Sequence, residues 1–234
     1  MNTYLNLVFH YLSDNPSDDW TLTIEKYFSI INGIDKLIEL KRIRFSKYRI
    51  YFDDGERSFF DNLYPLVKDR LSTITLGITT DFIGKSNYLK AKEIIFLKRE
   101  GVNIASHGVS HAAVAIYDHE DIVLLPTLEG GSYKNLSAGK TKRLKENEVV
   151  FQYLESYKKL ISLVGEIDEF IFPYGLYNDR SLQINDRLKL YRYLTTCDSK
   201  LDSGSFLRPR YLINNSKPVT KILDEVSKLE LYDV

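Results

Sequence analysis

Short apolar runs alternate with longer amphipathic stretches along the chain, and this rhythm predicts the fold class. YLNLVFH at 4–10 reads as a buried strand ending at His10, followed by the polar turn segment SDNPSDDW. From Thr21 or Thr23 as cap, Ile24, Tyr27, Phe28, Ile31, Ile34 and Leu37 recur at helical spacing to about Leu40. Tyr48 to Phe52 are β-branched, aromatic or long, and suit a strand. Phe59, Phe60, Leu63, Leu66 and Val67 then predict a helix over 57–70. TITLGIT at 73–79 is a third strand, leading to a helix around 87–99 closed by Gly101, and VNIAS at 102–106 is a fourth strand.

The stretch 112–140 has no single periodicity and reads as a long excursion over one end of the fold, the usual place of a substrate loop. A long helix is expected at 141–163, a strand and tight turn at EFIFPYG (169–175), and a helix near 179–189. Strands near 191–196 and 206–213 and a helix at 218–229 complete the chain. Strands alternating with helices argue for parallel pairing, and the number of units suits a closed or nearly closed α/β barrel. With no repeat, linker or low-complexity tract, residues 1–234 are expected to form one domain.

Composition narrows the function classes. Thirty-two basic residues balance thirty-two acidic ones, so nothing advertises a nucleic-acid or anionic-membrane surface. A single cysteine, Cys197, excludes an internal disulfide framework and fits a reducing compartment. No stretch approaches bilayer-spanning length, and the opening MNTYLNLVFHYLSDN lacks a basic leader. The expectation is a soluble, cytoplasmic protein.

Two stretches carry candidate chemistry. In YFDDGERSFFDN at 51–62 a strand stops at Asp53, Asp54 and Gly55, which places two carboxylates on a strand-to-helix turn. Either could simply cap the helix that follows. Equally, neighbouring side chains leave the backbone in different directions, so one could bind a metal while the other faces a substrate. In NIASHGVSH at 103–111, His107 and His111 stand four apart, which would put both imidazoles on one side of a helical turn. A bare pair of this kind could be two hydrogen-bonding loop histidines. Two nitrogens and one carboxylate oxygen, however, leave coordination positions open, the pattern of a catalytic zinc.

FDDG, SHGVSH and FPYG, in that order, resemble the first three motifs of the polysaccharide deacetylases, carbohydrate esterase family four. The opening at 6–20 and the helix before FPYG also resemble that family, and VFHYLSD, with His10, resembles the opening of its poly-N-acetylglucosamine deacetylase branch. The resemblance implies a single-domain, distorted (β/α)7-type barrel, a divalent metal that is usually zinc, and hydrolysis of an acetamide on an acetylated sugar. It implies Asp53 as general base, Asp54, His107 and His111 as metal ligands, and the backbone N–H of Tyr174 as an oxyanion donor. Most of the family draws its acid from a histidine near the C-terminus, and this chain has none after His119. His10, at the place to which the branch displaces its acid, is the candidate instead; His119, in YDHED, reads as solvated. Ile171 stands where many members have an arginine, and of Arg208 and Arg210 the latter is chosen to orient the base. The expected substrate is an acetylated sugar or glycan, such as an O-antigen, capsule or lipid-linked precursor. The alternatives are a carbohydrate-binding barrel that has lost turnover, or an amidohydrolase acting on a non-sugar amide.

Overall fold

A computed structural model describes residues 3–41, 43–114 and 144–232. Its strands are β1 (Tyr4–Phe9), β2 (Tyr11–Leu12), β3 (Thr21–Leu22), β4 (Lys47–Phe52), β5 (Ile74–Ile78) and β6 (Asn103–Ser106), then β7 (Glu169–Ile171), β8 (Tyr193–Thr195), β9 (Leu207–Arg208) and β10 (Tyr211–Leu212). Eight of them form one sheet in the order β10-β1-β4-β5-β6-β7-β8-β9, and every neighbouring pair is parallel. The two edge strands β9 and β10 are separated in the chain only by Pro209 and Arg210. The sheet therefore curls until its edges nearly meet, which is the distorted barrel expected from the sequence. Pro209 has no N–H to give a ladder, so the run expected as one strand at 206–213 is two short pieces.

The helices α1 (Ile24–Glu39), α2 (Ala91–Arg99), α3 (Glu146–Val164), α4 (Asp179–Leu188) and α5 (Val219–Ser227) cover the sheet. In α1 the Thr23 side chain accepts the Lys26 N–H at 3.1 Å, a cap worth about 1 kcal/mol. Its buried stripe is Tyr27, Ile30, Ile31 and Ile34, a helical spacing. None of the described helices is long and apolar enough to cross a membrane.

The helix expected over 57–70 is replaced by a five-residue π-helical turn, Phe59–Leu63, and a 3-10 turn, Tyr64–Leu66. Its apolar spacing is real, since Phe59 and Leu63 are buried, but Pro65 cannot donate to a continuing helix and breaks it. The helices expected from 87 and 141 begin at Ala91 and Glu146. The excursion lies outside the described residues from 115 to 143, as does His119.

Strand alternation sorts side chains between two environments. Leu5, Leu7, Phe9, Ile50, Phe52, Phe170 and Phe172 join the large apolar core beneath the helices. The intervening residues line the barrel interior. Val8, Tyr51, Ala105 and Ile171 form a small apolar plug at its middle. Continuing the same alternation toward the strand C-termini brings His10, Asp53, His107, Cys197 and Arg210 to one end.

Candidate metal centre

Beyond Phe52 the chain turns sharply. Asp54 takes a left-handed φ of 72° and Gly55 one of 77°. Aspartate tolerates this region better than most residues, and the turn splits the two carboxylates. Asp53 stays on the barrel axis, its N–H donating to the Phe9 carbonyl at 3.1 Å. Arg210 grips it with two bonds, Nη1 to Oδ1 at 2.7 Å and Nη2 to Oδ2 at 3.0 Å. Room for this pair depends on Gly77: a Cβ there would lie 3.2 Å from Asp53 Oδ1 and 2.9 Å from Ile171 Cδ1.

The histidine stretch is a loop, contrary to the helical turn expected from its spacing. Gly108 and His111 have φ of 78° and 59°, values no right-handed helix contains. The loop is fixed from two sides. His107 N–H donates to Ile78 O at 2.9 Å, and Gln152 of α3 accepts the Val109 and Ser110 N–H groups at 2.8 and 3.2 Å. The imidazoles still converge, with ring centres 4.9 Å apart. His107 Nδ1 lies 2.9 Å from the Ile171 carbonyl, which only a protonated Nδ1 can satisfy. In the neutral ring Nε2 is then a lone pair facing Asp54.

Asp54 Oδ1 is 3.4 Å from His107 Nε2 and 3.0 Å from His111 Nε2, yet it is buried and has no hydrogen-bond partner. Ligand atoms of the three residues all lie within 4.8 Å of one another. A buried carboxylate oxygen facing two imidazole nitrogens fits a divalent cation. Two nitrogens and one oxygen are a donor set that such a cation accepts.

Electrostatics keep both carboxylates ionised. Burial pushes the Asp53 carboxyl up, but the charge of Arg210 and then of His107 holds it below the usual carboxylate range. Burial acts on Asp54 in the same way, and its contacts with His107 and His111 hold it well below that range. His107 is pulled down by burial and raised above the ordinary histidine value by Asp53 and Asp54.

His10, Tyr174 and the triad share one cavity of about 160 Å³. Burial lowers His10 in spite of the two aspartates, its Nδ1 has no hydrogen-bond partner, and its ring meets the edge of Trp20 at 5.1 Å. Tyr174 sits at φ 59° in the turn after β7, its ring 4.5 Å from that of His111. Of the two candidate arginines, Arg210 reaches Asp53, while Arg208 Nη1 binds Glu169 at 2.8 Å toward the other end of the barrel. Ile171 fills the interior plug, so the arginine is supplied from β10's side instead.

Sequence reasoning missed Tyr11, Trp20, Gly77 and Cys197, of which Tyr11, Trp20 and Cys197 line the cavity. Tyr11 and Trp20 fall in or beside the segment read as a polar turn, where β2 and β3 pair as a small parallel flap. The signal for Cys197 was present, since it follows Thr195 by two on the inward face of β8.

The polysaccharide deacetylase family profile matches residues 46–193. No curated protein sequence matches the chain. Among solved structures, a de-N-acetylase from Aggregatibacter actinomycetemcomitans superposes with a TM-score of 0.72 at 17% identity, covering 96% of this chain and 100% of its own. IcaB from Ammonifex degensii gives 0.71 at 13% identity, with 97% and 98% covered. The Streptococcus pyogenes deacetylase PplD, solved with acetate, gives 0.69 at 15% identity, with 96% and 98% covered. At such identities the likeness concerns the fold.

Proposed function

The chain belongs to the polysaccharide deacetylase family, and on that premise we propose that it is a metal-dependent N-deacetylase acting on an acetamido sugar. The glycan is a cell-surface polysaccharide or its lipid-linked precursor. The observation that carries this reading is the convergence of Asp54, His107 and His111 beside a second, separately held carboxylate. Those three residues would hold the cation, zinc in this reading. When bound, it supplies Lewis-acid polarisation of the acetamide and acidifies water toward neutrality.

The remaining roles fall to the chain itself. Asp53, kept ionised by Arg210, accepts a proton from the attacking water at a carboxylate oxygen. The backbone N–H of Tyr174 would donate to the developing oxyanion. His10, which lines the same cavity as the triad, delivers a proton to the departing amine nitrogen. In this reading the chain groups with the branch whose acid comes from the N-terminal side.

Acetate release from N-acetylglucosamine oligomers, other acetamido sugars and small amides tests the proposal. The zinc-loaded protein is expected to release acetate from a sugar in preference to a simple amide. Asp53→Asn should slow this by roughly 10²–10⁴ while metal content is retained. Glycan binding without acetate release from any substrate would replace the hydrolase with a binding barrel.

A further inference from the structure

The two oxygens of Asp54 are not equivalent. Oδ1 faces the imidazoles, whereas Oδ2 accepts a hydrogen bond from the Tyr11 hydroxyl at 2.7 Å. Tyr11 is placed by a braced element. Its N–H donates to Trp20 O at 3.2 Å across the β2–β3 flap. The next residue, Leu12, donates its N–H to Ser58 Oγ at 3.0 Å and accepts the Asn62 Nδ2 hydrogen at its carbonyl at 2.9 Å. The flap is thereby tied to the segment that follows Asp54 itself.

We propose that Tyr11 is a positioning residue that holds Asp54 to ligation through one oxygen. A free carboxylate can grip a cation with both oxygens and so fill two coordination positions. The Tyr11 proton occupies Oδ2, fixes the carboxylate's rotation and leaves Oδ1 as the ligand atom. His107 is restrained in the same manner, through its bond to the Ile171 carbonyl. Tyr11 thus keeps coordination positions free for water and substrate, as a catalytic site requires. This rests on the reading that the triad holds a cation.

The test is Tyr11→Phe, which keeps the ring and deletes only the hydroxyl. Zinc affinity is measured by chelator competition, and the visible spectrum of the cobalt(II) form reports coordination number. The variant is expected to bind zinc roughly 10–100-fold more weakly and to show weaker cobalt bands as the carboxylate turns to two-oxygen ligation. Ser58→Ala, which keeps the hydroxyl of Tyr11 but loosens the flap that places it, should shift both readouts in the same direction by less than Tyr11→Phe does. Wild-type zinc and cobalt binding with an unchanged Tyr11→Phe would overturn the role of Tyr11 and leave the metal site standing. Weaker affinity with an unchanged cobalt spectrum would also overturn it. A wild-type protein that binds neither ion overturns the metal site and this inference together.

Discussion

Both ends of the barrel interior bury charged side chains, and they differ in what is left unmet. At the end where the strands begin, Glu169 Oε1 accepts from Tyr51 at 2.9 Å and from Thr195, and Oε2 takes Arg208. Asp202 is equally occupied: Oδ2 takes Arg49 at 2.7 Å and Asn6 at 3.2 Å, and Oδ1 takes the Gly204 N–H. The gap at that end among the described residues is Arg208 Nε, on a guanidinium already bound to Glu169 and lying 3.3 Å over the Tyr193 ring. At the other end Asp53 is fully paired, but Asp54 Oδ1 and His10 Nδ1 are buried without a hydrogen-bond partner among the described residues. Cavity size points the wrong way, since the basin at the first end is about 970 Å³ and the cleft at the second about 160 Å³. Unmet bonding capacity, and not burial of charge or available space, marks the chemical end.

The comparison breaks most sharply at His10. Deleting its imidazole with His10→Ala should lower kcat by about 10²–10⁴, the usual contribution of a positioned acid, with zinc content unchanged. Steady-state acetate release alongside metal analysis checks both halves. An unchanged rate would reduce His10 to packing against Trp20.

Arg210→Met is expected next in size. It leaves the Asp53 carboxylate buried and unpaired, a loss of about 3–5 kcal/mol by chemical denaturation. The pH dependence should reverse as well. In the wild type the folded-state pKa of Asp53 is lowered, so its contribution is present above the unfolded value of 3.8 and is lost as pH falls through the folded value. Without Arg210, burial dominates and raises the folded value. The metal-free variant should then lose stability as pH rises through the carboxylate range, the opposite slope.

The local parts of this site were legible in the sequence, and the parts that depend on long-range packing were not. Asp53–Asp54–Gly55 and His107/His111 each follow a strand closely, so position alone suggested that they meet. The backbone that achieves it was misjudged: the histidines converge through two left-handed residues and a Gln152 brace, which no four-residue spacing encodes. Alternation places both Arg208 and Arg210 inside the barrel. What separates them is depth, and depth follows from how the sheet closes around Pro209. Tyr11 was hidden because pairing of 11–12 with 21–22 crosses a segment rich in Asp, Ser and Pro that reads as turn. The 57–70 stretch shows the reverse error, a correct apolar spacing overruled by one proline.

The smallest expected effect falls at the end where bonding is complete. Glu169→Gln keeps the shape and leaves an acceptor for Tyr51 and Thr195, but it removes the charge that faces Arg208. Arg208 borders the open basin and its side chain is 12% exposed, so water can reach part of the uncompensated guanidinium. The cost should therefore stay near about 1–3 kcal/mol, below that of Arg210→Met, whose partner carboxylate is only 5% exposed. Zinc affinity and acetate release should match the wild type, because the plug of Val8, Tyr51, Ala105 and Ile171 stands between Glu169 and the metal ligands. Denaturation and chelator competition on the same preparation decide the matter. If zinc affinity falls with stability, the plug transmits strain, and the two ends act as one continuous polar core.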